Sequence, residues 1–353
     1  VPAYGETNRI PPLRSLLEKG ATARNGSFEW DARGRPVVNQ AKRVGSLIRR
    51  CVLEVYSLQG TFSGGPLRMI VADDGSTLSY IEHLAFPDGA EVSRQGAISA
   101  LAAPELADSD ADLVVVGANL LLRRLYTRRG FRIVPKWIRL FLPTEEDPDS
   151  RFARPDVAGP VRKHFRQTLR RIEEGGFECE VTTDLKWFDR FYRDMYQPYT
   201  VQRHGELAIV HPYRKMKRTF LRGAGIIVHK DEEPVGGAVV FRSGSTLCLP
   251  HMGVLGGDVE MVKQGAGSAI DYFAMKLAHS AGCSYMNFGH TRAFLSNGVL
   301  RYKLNWQAEV REDDDAVADF AMAAPRLTEH ARRFLTAHPA FHITDQGLLV
   351  SQC

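Results

Sequence analysis

No stretch of this sequence approaches the roughly 18 consecutive apolar residues that a membrane-crossing helix needs, so no such helix is expected. Cysteine is scarce and scattered. Cys51, Cys179, Cys248, Cys283 and Cys353 contain no C-x-x-C pair, which argues against a disulfide framework and a zinc site and leaves reduced thiols. Cys248 and Cys283 sit in apolar, strand-like settings that favour inert thiols over a nucleophile. Neither sign of charge dominates, because 46 basic against 41 acidic residues leave only +5. That excess suits an anionic substrate or cofactor without demanding nucleic acid. There is no G-x-S-x-G elbow, no H-E-x-x-H pair and no Walker loop, so the common hydrolase, zincin and P-loop chemistries find no support. Asp313-Asp314-Asp315 lacks the spacing and glycine of a calcium loop and is read as a solvated turn, so no metal is expected. The first residues, Val1-Pro2-Ala3-Tyr4-Gly5, lack a basic segment followed by an apolar one; no secretory signal is read there, and a cytoplasmic location is expected.

What is present is the balance of an ordinary globular protein, 44% hydrophobic and 25% charged over 353 residues, enough for two domains. Residues 1–45 lack sustained periodicity and are read as an arm or cap. Strand-like runs follow at Val52–Tyr56 and Leu67–Val71, then an Ala-rich helical window at 92–103 and an apolar strand at Leu113–Val116. A helix is expected at Leu120–Arg129, with strands at Phe131–Pro135 and Ile138–Leu142. Residues 143–160, with the acidic run Glu145-Glu146-Asp147, four prolines and a glycine, form the clearest linker. Beyond it, Val161, Phe165, Leu169 and Ile172 mark one face of a helix, with Arg162, Arg166 and Arg170 on another. A second helix, Thr183–Tyr196, should bury Leu185, Phe188, Tyr192 and Met195.

The informative section is the next one. Gly225–His229, Val235–Arg242 and Thr246–Gly253 read as three antiparallel strands separated by turns. A glycine-rich segment then opens a long helix with Ile270, Phe273, Ala274, Leu277, Ala278 and Ala281 on its apolar face. A strand at Ser284–Phe288, a short helix at Val299–Asn305 and a strand near Gln307–Arg311 follow. This order predicts an α+β fold with a mixed, mainly antiparallel sheet, not a doubly wound one.

Gln264-Gly265-Ala266-Gly267-Ser268-Ala269 fits [Q/R]-x-x-G-x-[G/A] at a strand-to-helix junction. Glycines there let backbone N–H groups at a helix start approach a diphosphate, which the helix dipole also favours. With this motif the chain resembles the GNAT superfamily of acyl-CoA-dependent N-acyltransferases over about residues 220–311. Asn297-Gly298-Val299-Leu300-Arg301-Tyr302 looks like that family's N-x-x-x-x-x-Y element. The resemblance implies that the amides of Gly265 to Ala269 bind the donor diphosphate, that backbone groups of Met252-Gly253-Val254 hold the pantetheine arm, and that Tyr302 protonates the leaving thiolate. Asp112–Phe131 looks like the closing part of a second such domain, in which Arg94-Gln95-Gly96-Ala97 is at best a remnant of the motif. Two tandem GNAT-like domains are therefore expected, 46–145 degenerate and 161–353 active, joined by a linker at 146–160.

Residues 161–206, with Leu300-Arg301-Tyr302-Lys303-Leu304-Asn305-Trp306, are similar to the Fem-type peptidyltransferases, many of which use aminoacyl-tRNA. That branch implies a transfer role for Lys303, and places Arg203 among groups that contact substrate. Arg166 and Arg170 are further candidates to grip an anionic substrate, and Arg214, Lys215, Lys217, Arg218 and Arg222 form a second basic cluster. His251, just before the glycine motif, and His290, just after the following strand, are candidate bases or water-positioning residues. The expected function is transfer of an acyl group from acyl-CoA to a small-molecule or peptide amine by direct attack. The alternatives are an aminoacyl-tRNA-dependent ligase, with tRNA as partner, and an inactive GNAT-fold binding protein. No membrane partner is expected, and the oligomeric state is open.

Overall fold

The computed structural model describes residues 51–350 apart from 76, 314, 315, 317, 345 and 346. The arm expected at 1–45 lies outside the described residues. The strands, in chain order, are β1 (Val52–Phe62), β2 (Gly65–Asp73), β3 (Glu91–Ser99), β4 (Leu113–Asn119), β5 (Arg132–Val134), β6 (Ile138–Pro143), β7 (Phe177–Thr182) and β8 (Ala224–Lys230). They continue with β9 (Glu233–Ser243), β10 (Thr246–Val254), β11 (Tyr285–Thr291), β12 (Glu309–Glu312), β13 (Ala318–Ala323), β14 (Phe341–Thr344) and β15 (Gly347–Val350). They build one sheet of order β15-β14-β5-β13-β4-β2-β1-β3 and another of order β12-β6-β11-β10-β9-β8-β7. Most pairings are antiparallel, while β2–β4 and β10–β11 are parallel, so the expected mixed α+β architecture is present.

Contacts divide the chain into two compact units. One, called here the motif unit, contains Leu140–Gly289 and Lys303–Glu309. The other, the flanking unit, takes the described residues up to Arg139, His290–Tyr302 and the chain from Val310. The units are not two consecutive segments. Residues after the motif return to the amino-terminal sheet, because β13 pairs antiparallel with both β4 and β5.

In the flanking unit every residue of β4 is buried, as its unbroken apolar run requires of a central strand. The Ala-rich window at 92–103 is not a helix. Its first part is β3, an edge strand paired with β1 from Val52↔Ser99 to Gln59↔Glu91. A bulge opposite Val55 and Tyr56 is accommodated by Gly96 at φ +138°, a backbone state open to glycine. Local alanine propensity yields here to ladder pairing and to the cross-strand Arg94–Glu54 ion pair of 3.1 Å.

In the motif unit the 143–160 linker is ordered by its own acids. Asp147 caps a short helix, Pro148–Ala153. Lys276 Nζ reaches Asp147 Oδ2 at 2.7 Å and Asp149 Oδ2 at 2.9 Å, and Tyr272 Oη donates to Asp149 Oδ1 at 2.9 Å. The helix Gly159–Glu174 buries Phe165 and Ile172 as expected, with Thr168 between them. The expected Thr183–Tyr196 helix runs as Leu185–Arg190, a π-helical Phe191–Tyr196 and then Gln197–His204. Phe188, Tyr192 and Met195 are buried there, but Leu185 is 40% exposed because it begins the helix. Strand β7 and the helix Tyr213–Phe220, which carries much of the second basic cluster, escape the periodicity reading.

The candidate donor site

Strand β10 pairs with parallel β11 only over Thr246↔Tyr285, Leu247↔Met286 and Cys248↔Asn287. On its other side it follows β9 to Val254↔Gly236, with an irregularity between Cys248 and His251. Pro250, which has no N–H, lies within that irregularity. The two parallel strands therefore part beyond Cys248 and Asn287, and Met252-Gly253-Val254 lies on the diverging stretch. A parted strand edge offers backbone groups to an extended ligand.

From β10 the chain enters a short helix, Val259–Gln264, stops at Gly265 and restarts as Ala266–Ser280. Gly265 has φ +116°, a left-handed state that strains any residue with a Cβ. The turn lets Ala269 N–H bond Gly265 O at 2.8 Å as the first bond of the new helix. By helix geometry the amides of Ala266 and Gly267 then have no intrahelical acceptor. Thus Gln264 closes one helix, Gly265 is the hinge, and Ala266 to Ala269 form the first turn of the next. Ala266 and Ala269 are buried, Gly267 and Ser268 partly open. Gln264 accepts a 2.7 Å hydrogen bond from Lys230 Nζ, which ties the motif to β8.

Gly267 faces a space bounded by two side chains. A Cβ placed there would lie 3.7 Å from Met252 Cε and 3.9 Å from Tyr199 Oη. Tyr199 belongs to the helix that continues the π-helical turn, a form of helix frequent at functional sites. That segment packs backbone-on-backbone against β10, because a Cβ on Gly253 would come within 2.6 Å of Met195 C and Tyr196 N. The Arg203 guanidinium lies 5.8 Å from the Tyr199 ring centroid, and burial pushes the Tyr199 hydroxyl above its ordinary pKa.

Lys303 lies at the same parted strands. Its side chain is buried, and Nζ donates to Phe288 O at 2.6 Å, one residue past the last β10–β11 pair. Burial lowers its pKa to about 8, an effect opposed by the Asp271 carboxylate and aided by the charge of Arg203. Asp271 is 3% exposed and sits four residues after Gly267, so both occupy one face of the Ala266–Ser280 helix. The motif unit thus brings together the glycine turn, Met252, Tyr199, Arg203, Asp271 and Lys303.

Other candidates are placed elsewhere. His251 is buried against Tyr196 and His211, with ring centroids 5.4 and 4.9 Å away. Burial, then the charges of His211 and Lys215, pulls its pKa down to about 3, which leaves it neutral and a weak base near pH 7. His290 belongs to the flanking unit; its Nε2 accepts from Arg139 Nε at 3.0 Å and lies 3.3 Å from Asp313 Oδ2. Asp313 is itself only 9% exposed, so the turn expected at Asp313–Asp315 is not solvated at its first residue; Asp314 and Asp315 lie outside the described residues. Tyr302 is also grouped with the flanking unit, although it precedes Lys303 on the helix Gly298–Leu304. Successive helical residues point about 100° apart, so the two side chains leave the axis in different directions. Arg166 is exposed, and exposed Arg170 pairs with Glu174 at 2.7 Å. The arginine beside the glycine turn is Arg171, whose Cβ and Cδ lie 3.5 and 3.8 Å from a Cβ built on Gly265.

Among the described residues no group of three or more His, Cys, Asp or Glu could hold a metal. No helix among them is long and apolar enough to cross a membrane.

Residues 160–304, which span the glycine turn, the parted strands and Lys303, match the family model described as an acetyltransferase (GNAT) domain. This stretch is a GNAT-type domain, and the chain is an acyltransferase. Solved structures similar to it include FemX, at 12% identity and TM-score 0.41 over 75% of this chain and 83% of that one. Another is L-PGS from Bacillus licheniformis, at 11% identity and TM-score 0.36 over 92% and 95%. A GCN5-related N-acetyltransferase from Anabaena variabilis matches at 11% and 0.30 over 97% and 82%. These likenesses are too distant to transfer any residue's role. No curated protein matches the chain.

Proposed function

We propose that this protein transfers an acyl group from acyl-CoA to an amine on a small molecule or peptide. The observation that carries the reading is the glycine turn that starts a helix beside two parted parallel strands. First-turn amides and the positive end of the helix suit a diphosphate, and the diverging edge of Met252-Gly253-Val254 suits an extended arm. The amine nitrogen attacks the thioester carbonyl, the C–S bond breaks, the thiolate takes a proton and the nitrogen loses one. Lys303, held at Phe288 O, is the cation suited to the carbonyl oxygen as negative charge develops there. Tyr302 is the expected acid for the thiolate. In the flanking unit the motif remnant, Arg94 to Ala97, lies on an edge strand and not at a helix start.

The buried lysine also suits the second reading, an aminoacyl-tRNA donor, with the basic helix Tyr213–Phe220 as backbone contact. Donor size and charge separate the two, since binding of tRNA falls steeply with salt and binding of CoA only mildly. The test is calorimetric titration with CoA and with acetyl-CoA, repeated on Gly267→Trp. The bulky ring would displace Met252 and the Tyr199 hydroxyl and fill the space over the turn. Saturable binding lost in the variant is expected. Absence of binding to either compound would contradict the CoA reading and turn the search to aminoacyl-tRNA.

A further inference from the structure

Tyr199 stands over the glycine turn and has no part in the transfer steps. It is 7% exposed and lies on the helix Gln197–His204. Its hydroxyl is the part of the ring that a Cβ on Gly267 would meet, at 3.9 Å. Among the described residues that hydroxyl donates to no acceptor, and it is not sealed from solvent. A tyrosine buried along its ring usually gives its O–H to a partner, so the donor left open at this point has room for one.

The backbone that carries Tyr199 is fixed by two glycines of the same stretch that builds the turn. Gly253 of β10 meets the backbone of Met195 and Tyr196. Gly257, in the loop after β10, does the same one step further on: a Cβ there would lie 2.8 Å from Pro198 O and 3.2 Å from Tyr199 N. A side chain at either glycine would push the helix outward and lift the hydroxyl off Gly267.

Arg203 follows Tyr199 by four residues and so shares its side of the helix. Burial dominates the pKa shifts of the Tyr199 hydroxyl and of the Lys303 ammonium, and the charge of Arg203 acts on both groups as well. Arg203 and Lys303 repel each other, and an anion bound beside them relieves that repulsion.

We infer that Tyr199 and Arg203 form a second wall of the donor-phosphate site, in which the Tyr199 hydroxyl donates to a phosphate oxygen and Arg203 offsets its charge. The inference rests on the acyl-CoA reading and adds to it. The amides of Ala266 and Gly267 reach a phosphate from one side only. A tetrahedral phosphate carries further oxygens away from that side, and each is an acceptor that suits a hydroxyl or a guanidinium. The pair binds and positions the donor and takes no part in breaking the thioester.

The experiment is calorimetric titration of the full chain with CoA, at low and at raised salt, for wild type, Tyr199→Phe, Arg203→Gln and Arg203→Lys. Tyr199→Phe keeps the ring and removes only the hydroxyl, and should weaken CoA by about tenfold. Arg203→Gln should weaken it by about tenfold or more and flatten its salt dependence. Arg203→Lys keeps the charge and should recover most of that loss. A merely structural role would lower melting temperatures without changing the salt dependence or separating Lys from Gln. With wild type binding CoA, unchanged affinity in Tyr199→Phe or Arg203→Gln, or equal losses in Arg203→Lys and Arg203→Gln, would overturn the inference and leave the donor reading standing. Absence of CoA binding by wild type would instead overturn the donor reading, and this inference with it. If Tyr199→Phe does not fold, the Arg203 variants, at an exposed position, decide alone.

Discussion

Each unit buries one lysine among the described residues, and the two are held in different ways. Lys136 of the flanking unit donates to Thr77 Oγ1 at 2.6 Å and lies 5.7 Å from the Phe320 ring. Lys303 of the motif unit donates to a main-chain carbonyl where a ladder has just ended. In the flanking unit parallel β2 and β4 pair from Met69↔Leu113 to Ala72↔Val116, and β13 pairs with β4 as far as Asn119. In the motif unit the parallel pair closes for only three residues, then parts. A parallel pair in a mixed sheet is thus not itself a site. What distinguishes the motif unit is an unpaired strand edge next to a glycine-started helix, with a cation at the fork.

The largest effect that would break this contrast is at the lysines. Lys303→Met should lower kcat/KM by about two to three orders of magnitude, as removal of an electrostatic stabiliser does. Lys136→Met should leave turnover in place and act on thermal stability. Steady-state kinetics beside melting curves check both, and equal losses of turnover would erase the distinction. Tyr302→Phe comes next, with a loss of about 10- to 100-fold in kcat if its hydroxyl delivers the proton.

A pH profile sharpens the role of Lys303. If the charged form acts, kcat/KM should fall as pH rises through about 8, where the folded protein releases that proton. The stability sign is opposite. An unfolded lysine stays protonated to about 10.4, so between these values the unfolded chain binds more protons and stability rises with pH. His251 gives the smallest effect. Its folded pKa of about 3 lies below the usual histidine value, so acidification from about 6.5 towards 3 should destabilise the motif unit. Melting temperatures against pH should show this slope, reduced in His251→Phe.

Much of the motif unit was legible in the sequence because its elements announce themselves locally. Three strands with turns, a glycine run and an apolar helical face predicted β8 to β10 and the long helix within a few residues. Lys303 was found through resemblance, and the structure places it beside the parted strands. Tyr199, Asp271 and Arg171 were not found. Asp271 is a carboxylate on a helix buried on nearly every side, and only its spacing of four from Gly267 could have pointed to it. Tyr199 depends on a π-helical turn, which shifts the helical register in a way that a 3.6-residue period does not encode. The flanking unit was read less well, because β3 is an exposed edge strand defined by its partner and β13 returns from almost 200 residues beyond β4. Long-range pairing leaves little trace in local pattern.

The most direct test of the central claim is a crystal structure of the chain grown with CoA. The diphosphate is expected against the amides of Ala266 and Gly267, with the pantetheine arm along Met252-Gly253-Val254 and its sulfur end towards Lys303. CoA bound elsewhere, with the glycine turn and the parted strands empty, would contradict it.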